Sequence, residues 1–285
     1  MRADRRAALG LIAGTLASRV AATSIALPAL QIEGSQLTQG GWARGIARYG
    51  LTLDLEGVPV PTDPSGRFFI AFDRDAKPAA TLTGRAANGW TTTLALAIAP
   101  RAWRIEHIDA PLRPPSVPSA EFLRIRKEEL ARIAAARSRS TSAQGWLQPM
   151  IRPAPGRISG RFGAQRIYRG EPGSYHSGLD LAAASGTPIL APADGVVILA
   201  AAAPFTLEGK LLMVDHGMGL SSAFLHCSAH RVGEGDPVRQ GQPIAEVGMT
   251  GRATGPHLHW GLRWHEARLD PLLFLNLSTS NPVER

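Results

Sequence analysis

A single cysteine, Cys227, stands in the 285 residues. That count rules out an intrachain disulfide and any zinc site built on several cysteine thiolates. Long apolar runs are also missing: beyond the first thirty residues no segment is apolar enough to cross a bilayer. The basic residues nowhere gather with aromatics into the interleaved clusters of a nucleic-acid surface, so nucleic acid is not an expected partner. Charge is sparse at 19%, against 44% hydrophobic residues, the balance of an ordinary folded protein rather than a disordered one. What charge there is leans basic, at +8 overall, which suits an anionic partner such as a membrane surface or a cell-wall polymer. Glycine and proline are plentiful, 30 and 22 residues, so many turns and a β-rich chain are expected. The length allows two domains with cores of their own.

Residues 1–30 read as an export signal or N-terminal anchor. Arg2, Arg5 and Arg6 precede the apolar run Ala7-Ala8-Leu9-Gly10-Leu11-Ile12-Ala13-Gly14, a basic region followed by a short hydrophobic one. The Arg5-Arg6 pair has the look of a twin-arginine signal, although Asp4 stands where Ser or Thr is usual and Arg19 interrupts the apolar stretch. The expected location is the periplasm or cell envelope.

Residues 31–112 show short alternating runs separated by turns, which predicts a small β-sandwich-like module. Asp63-Pro64-Ser65-Gly66 and Asn88-Gly89 mark two of the turns. His107 has no second ligand type near it in sequence and reads as a surface or structural histidine. Residues 113–150 hold a helix and a linker. Pro114, Pro115 and Pro118 break regularity, Ser119 is a candidate N-cap, and Phe122, Ile125, Glu129, Leu130 and Ile133 follow in a charged helix to about Arg137. Its apolar stripe is narrow, so it should lie on a surface or bridge two domains. Ser138 to Gly145 reads as a polar linker.

Residues 151–275 carry the chemistry, with 276–285 as a tail. Brief strands separated by Gly-Asp and Gly-Gln turns predict a compact, curved antiparallel β-sheet. In Gly255-Pro256-His257-Leu258-His259-Trp260, strand alternation puts His257 and His259 on one face and Leu258 on the other. Two adjacent imidazoles are poor packing but a good start on a metal or proton-transfer site. Upstream, His176-Ser177-Gly178-Leu179-Asp180 sets an imidazole and a carboxylate four apart, with Gly178 expected to bend the chain so that both reach one centre. A third element, Leu211 to His226, reads as a hairpin turning at His216 to Gly219. Alternation there places Phe224 on the face of His226, with Leu225 and Cys227 opposite.

These pieces together resemble the lysostaphin/LytM-type zinc endopeptidases, metallopeptidase family twenty-three. The likeness runs from about Ile158 to Phe274. Its three motif pieces, His176-x-x-x-Asp180, His226 and His257-x-His259, are joined by Asp194-Gly195-Val196, His216-Gly217 and the glycine turns from Gly235 to Gln242. The segment from Gln39 to Arg137 also resembles the β module and helix that precede this domain in some bacterial members. The resemblance implies one zinc ion on His176, Asp180 and His259 with a fourth position left for water, and His226 and His257 as catalytic groups beside that water. It further implies peptidoglycan stem peptides or cross-links as substrate, with zinc-activated water as nucleophile. Three protein ligands and one open position are the pattern of a catalytic rather than a structural zinc site, and amide hydrolysis needs a proton acceptor and donor of the kind two free imidazoles supply.

The chain departs from the family in three places: Phe224 for the usual Tyr, Cys227 for Leu, and Trp260 for Phe. None is a metal ligand. His216, His230 and His265 read as a turn cap and two exposed residues; Arg161 and Arg166 could face an anionic substrate, though surface arginines are the commoner case. Two alternatives stay open: a non-catalytic LytM-like wall-binding module or amidase activator, and a zinc protease acting on proteins rather than the wall. A regulatory protein partner is compatible with the sequence.

Overall fold

The computed structural model describes residues 27–111 and 119–275. The signal-like run over 1–26, the prolines at 114, 115 and 118, and the 276–285 tail lie outside the described residues. Among those described, no helix is long and apolar enough to cross a membrane.

Two small antiparallel sheets build the N-terminal part. Strands Leu30–Gln36, Trp42–Ala47 and Arg67–Ala71 make one, and Val58–Val60, Thr52–Leu55, Ala79–Arg85 and Thr91–Ala97 make the other. Phe68, Ile70, Leu53, Leu82 and Ile98 are buried in their core, each worth about 1.5–3 kcal/mol relative to exposure. Asn88-Gly89 closes the hairpin as its sequence suggests, with Gly89 at φ 86°, a conformation that glycine adopts without steric cost. One strand leaves the module. Ile105–Ile108 pairs in parallel with Gln165–Tyr168 of the C-terminal half, so the two parts share a sheet.

The C-terminal half is organised on an eight-stranded sheet. Its order runs Pro237–Val238, Gly195–Ala200, Lys210–Gly217, Leu220–Cys227, Leu258–Trp264, Leu179–Ala182 and Arg157–Gly160, with Ala267–Leu269 added on Leu258–Trp264. All these pairings are antiparallel. Pro188–Leu190 stands outside this sheet and joins Pro243–Glu246 in a separate one.

The main sheet is two-faced because its side chains alternate. Val197, Leu212, Val214, Phe224, Leu258, Trp260 and Leu262 point into the principal core. On that side lies a satisfied polar chain: His216 Nδ1 donates to the Asp194 carbonyl (2.8 Å), His216 Nε2 accepts from the Ser222 hydroxyl (2.7 Å), and Ser222 in turn accepts from Trp260 Nε1 (3.2 Å). His216 thus caps a backbone carbonyl as expected, but from a fully buried position, and burial lowers its pKa.

The opposite face carries Leu211, Met213, Ala223 and Leu225. The helix Ala120–Arg137 lies across part of it, packing Ile133 and Ala136 against Ile198, Leu211 and Met213. Ser119 caps the helix, its hydroxyl accepting from Phe122 N–H at 3.0 Å. Of the stripe, Glu129 and Ile133 are buried and Phe122 and Ile125 half-buried, while Leu130 is exposed; Glu129 bonds the backbone N–H and hydroxyl of Thr206 at 2.6 Å each. The stretch after the helix is not a free linker. Thr141 bonds Asp215 through backbone and side chain, and Trp146 is buried in the core.

Candidate active site

Backbone pairing alone sets two of the site's groups side by side. Asp180 and His259 are direct cross-strand partners, and Asp180 pairs on its other edge with Gly160. His259 alternates with the buried Leu258 and Trp260 and so rises from the face that the helix only partly covers. His176 arrives from the loop before the Asp180 strand. Its Nε2 lies 3.0 Å from Asp180 Oδ1 and 3.1 Å from His259 Nδ1, and His259 Nδ1 is 2.8 Å from the same carboxylate oxygen.

Three ligand-type atoms thus converge. Zinc bonds of about 2.0–2.2 Å in tetrahedral array require neighbouring ligand atoms roughly 3.3–3.6 Å apart, slightly wider than seen, so the donor set fits one such ion after a small opening. The chemistry fits as well, two imidazoles and one carboxylate. His176 Nδ1 is 3.1 Å from the Arg161 carbonyl, which can only accept, so that nitrogen carries the proton and Nε2 keeps its lone pair for the centre.

The electrostatics follow from proximity. Burial alone would raise the Asp180 carboxyl, but hydrogen bonds from His176 and His259 outweigh it and hold the group well below the usual carboxylate range. Burial would lower His176, yet Asp180 raises it on balance; for His259 burial prevails and the pKa falls.

His226 and His257 stand beside the trio. Their rings are 5.0 Å apart between centroids, and His226 is 6.5 Å from His259. Each donates Nδ1–H to a backbone carbonyl at 2.8 Å, Thr250 for His226 and Gly255 for His257, which leaves both Nε2 atoms free to exchange protons. His257 Nε2 lies 4.0 Å from Asp180 Oδ1. Burial lowers the pKa of His226, favouring its neutral form.

Alternation misplaced one residue. It put His226 on the face of Phe224, but Phe224 is fully buried in the core while His226 reaches the site. The cause is a left-handed backbone at His226, φ 64°, which turns the ring to the opposite side. An aromatic at 224 faces the core, so the Phe in place of Tyr changes packing rather than the site. Cys227 is buried and its thiol is pushed up to about 12, an inert small hydrophobe.

Gly178 works differently from its expected role. Its φ is not positive; what matters is the missing side chain, because a Cβ there would lie 2.6 Å from both His259 Nε2 and the Trp260 carbonyl oxygen. Gly160 likewise leaves room for Asp180 Oδ2, which a Cβ would approach to 2.4 Å. Gly178→Ala should therefore displace His259 and weaken zinc binding by about 10- to 100-fold while the chain still folds. A zinc competition titration alongside far-UV circular dichroism checks this; unchanged affinity would show that the sheet can yield there.

Among the remaining candidates, Arg166 is exposed and paired with Glu106 at 2.8 Å, and Arg161 contributes a backbone carbonyl to His176. His107 and His265 are exposed, whereas His230 is half-buried rather than exposed, and burial lowers its pKa. One supporting residue gave no sequence signal. Arg74, buried in the N-terminal part, bonds the Gly163 carbonyl through Nε (3.3 Å) and Nη2 (3.2 Å), and Gln165 Oε1 at 2.9 Å. Gly163 N–H in turn donates to the His176 carbonyl, and His176 N–H to Ala164, both at 2.8 Å.

The profile of Peptidase family M23 matches residues 174–271, the span holding all five side chains. A crystal structure from Pseudomonas aeruginosa, provisionally assigned to peptidase M23, superposes with a TM-score of 0.65 at 31% identity, over 84% of this chain and 95% of that one. Two curated relatives align over the C-terminal half. The DD-carboxypeptidase/endopeptidase Mpg of Neisseria meningitidis is 39% identical over 126 residues, 41% of this chain and 26% of that protein. The peptidoglycan DD-endopeptidase ShyA of Vibrio cholerae is 38% identical over 110 residues, 37% of this chain and 24% of that protein. The alignments thus span about a quarter of the length of these two relatives.

Proposed function

This chain belongs to peptidase family M23, and from that premise we propose that it is an exported, zinc-dependent endopeptidase hydrolysing peptide bonds in the stem peptides or cross-links of peptidoglycan. The observation that carries the proposal is the convergence of His176 Nε2, Asp180 Oδ1 and His259 Nδ1 within hydrogen-bond distance of one another, with two further imidazoles alongside. His176, Asp180 and His259 would hold the ion. Zinc, when bound, supplies Lewis acidity, lowering the pKa of water toward 7 and polarising the scissile carbonyl.

The chain's own groups do the rest. His226 and His257, each fixed by a carbonyl on Nδ1, present Nε2 to take a proton from the attacking water and to donate to the oxygen that gains charge. The substrate class rests on the family and on the names of the two relatives, and the basic net charge is compatible with an anionic wall.

Purified protein should release soluble muropeptides from isolated sacculi, lose that activity to a chelator and regain it with zinc. His226→Ala should keep near-normal zinc content and lose roughly 10²- to 10⁴-fold in turnover. Full activity in that variant would remove His226 from the reaction. Stable binding to sacculi without release of fragments would favour the wall-binding module, and cleavage of casein in preference to muropeptides would favour a general protease.

A further inference from the structure

The strand pair that follows the site sets like charges against each other. Arg263 and Arg268 are direct cross-strand partners in Leu258–Trp264 and Ala267–Leu269. Like charges at such positions destabilise a sheet unless an anion lies between them. A third guanidinium, Arg137 at the end of the helix, comes over the same face, and the three line one groove of about 170 Å³ with His259 in its wall.

The groove's own carboxylates do not neutralise this cluster. Glu208 is committed to Arg126 by two bonds of 2.6 and 2.7 Å. Glu266 reaches only Arg263, from a side chain 93% exposed, and Arg263 Nε is buried with no partner. Neither Arg137 nor Arg268 has an ion pair among the described residues. Arg268 also lies 5.6 Å from the ring of Tyr175, the neighbour of His176.

We propose that this groove between helix and sheet is a carboxylate-binding subsite, in which Arg137, Arg263 and Arg268 hold a free carboxylate of the peptide whose amide lies at the metal site. Guanidinium groups suit this task because their planar forks match a carboxylate in two parallel hydrogen bonds. A carboxylate rather than a phosphate is the expected anion, because it must be carried by the peptide being cut. The proposal rests on the hydrolytic reading above and deepens it by naming the feature of the substrate that is recognised.

The test compares a cross-linked stem-peptide dimer with free carboxyl groups against the same dimer with those groups amidated. The wild-type protein should favour the acid at least 10-fold in kcat/KM, mainly through KM. Arg137→Gln/Arg268→Gln should lose that preference, cut the amidated dimer as the wild type does, and retain its zinc. Its Tm should hold or rise, since repulsion is relieved, whereas a purely structural role would lower it. Equal kcat/KM for acid and amide in the wild type, or full preference in the double variant, would overturn the proposal. If neither dimer is cut, the hydrolytic reading fails separately. Calorimetric titration of the zinc-loaded protein then decides the subsite: tighter binding of the acid, abolished in the double variant, supports it, and equal binding of the two dimers refutes it.

Discussion

Asp180→Ala should lose both zinc and activity, the largest effect expected of any single change in this chain. Asp180 is the anion of the proposed ligand set, and its Oδ1 lies within 3.0 Å of a nitrogen of each of the two imidazoles proposed to share the ion. Zinc sites in small domains are worth roughly 10–16 kcal/mol, so loss of one ligand removes about 3 kcal/mol, at least ~10²-fold in affinity. Without the carboxylate, His176 and His259 would also face the ion with no compensating negative charge. Hydrolysis of sacculi should fall by at least ~10³-fold, since reactions that depend on a metal do not survive its loss in proportion to one contact. Equilibrium dialysis with zinc, followed by muropeptide release, measures the two effects. A variant that keeps stoichiometric zinc with high affinity would remove Asp180 from the ligand set.

Arg74→Ala is expected to act from outside the C-terminal half. The guanidinium is 7% exposed and lies 4.7 Å from the ring of Tyr175 and 5.2 Å from that of Trp103. Trp103 covers Gly163 so closely that a Cβ there would sit 2.1 Å from its ring. Loop 161–176 is therefore held between N-terminal side chains and its own hydrogen bonds to His176. Truncation leaves the buried Gly163 carbonyl and the Gln165 amide short of a donor, a cost of about 3 kcal/mol. Zinc affinity should also drop by about 10- to 100-fold, because His176 loses its support.

A lysine restores charge but not the fork that reaches Gly163 and Gln165 together, so Arg74→Lys should recover only part of either loss. Leu82→Ala, in the N-terminal core, supplies the control. It should lower stability comparably, by about 2–5 kcal/mol, and leave zinc binding at 20 °C unchanged. If both variants weaken zinc equally, the Arg74 effect is general destabilisation rather than positioning.

These expectations separate what could be read from the chain from what could not. The period-two pattern of Pro256 to Trp260 placed His257 and His259 together on one face, because alternation is a local property of any strand. The spacing His176-x-x-x-Asp180 was equally local, as was the turn at Asn88-Gly89. The same rule failed at His226, where one left-handed residue turned the ring to the other side, and nothing in Phe224-Leu225-His226-Cys227 announces that kink. The helix stripe was legible except at Leu130, which is exposed, but it could not name the partner of Glu129. Burial of Glu129 is stabilised by Thr206, a partner 77 residues away, and no helical period encodes such a bond.

The sequence by itself determined the β-rich class, the residue types of the centre, and the exclusion of cysteine-based zinc, since composition and short-range periodicity need no partner to act. Tertiary structure alone decided that Gly178 and Gly160 clear space for His259 and Asp180, that Arg74 reaches across to the His176 loop, and that three arginines share one groove. Each of these depends on which strands become neighbours. Strand pairing is fixed by burying the whole sheet at once, a cooperative outcome to which residues far apart in the chain contribute together.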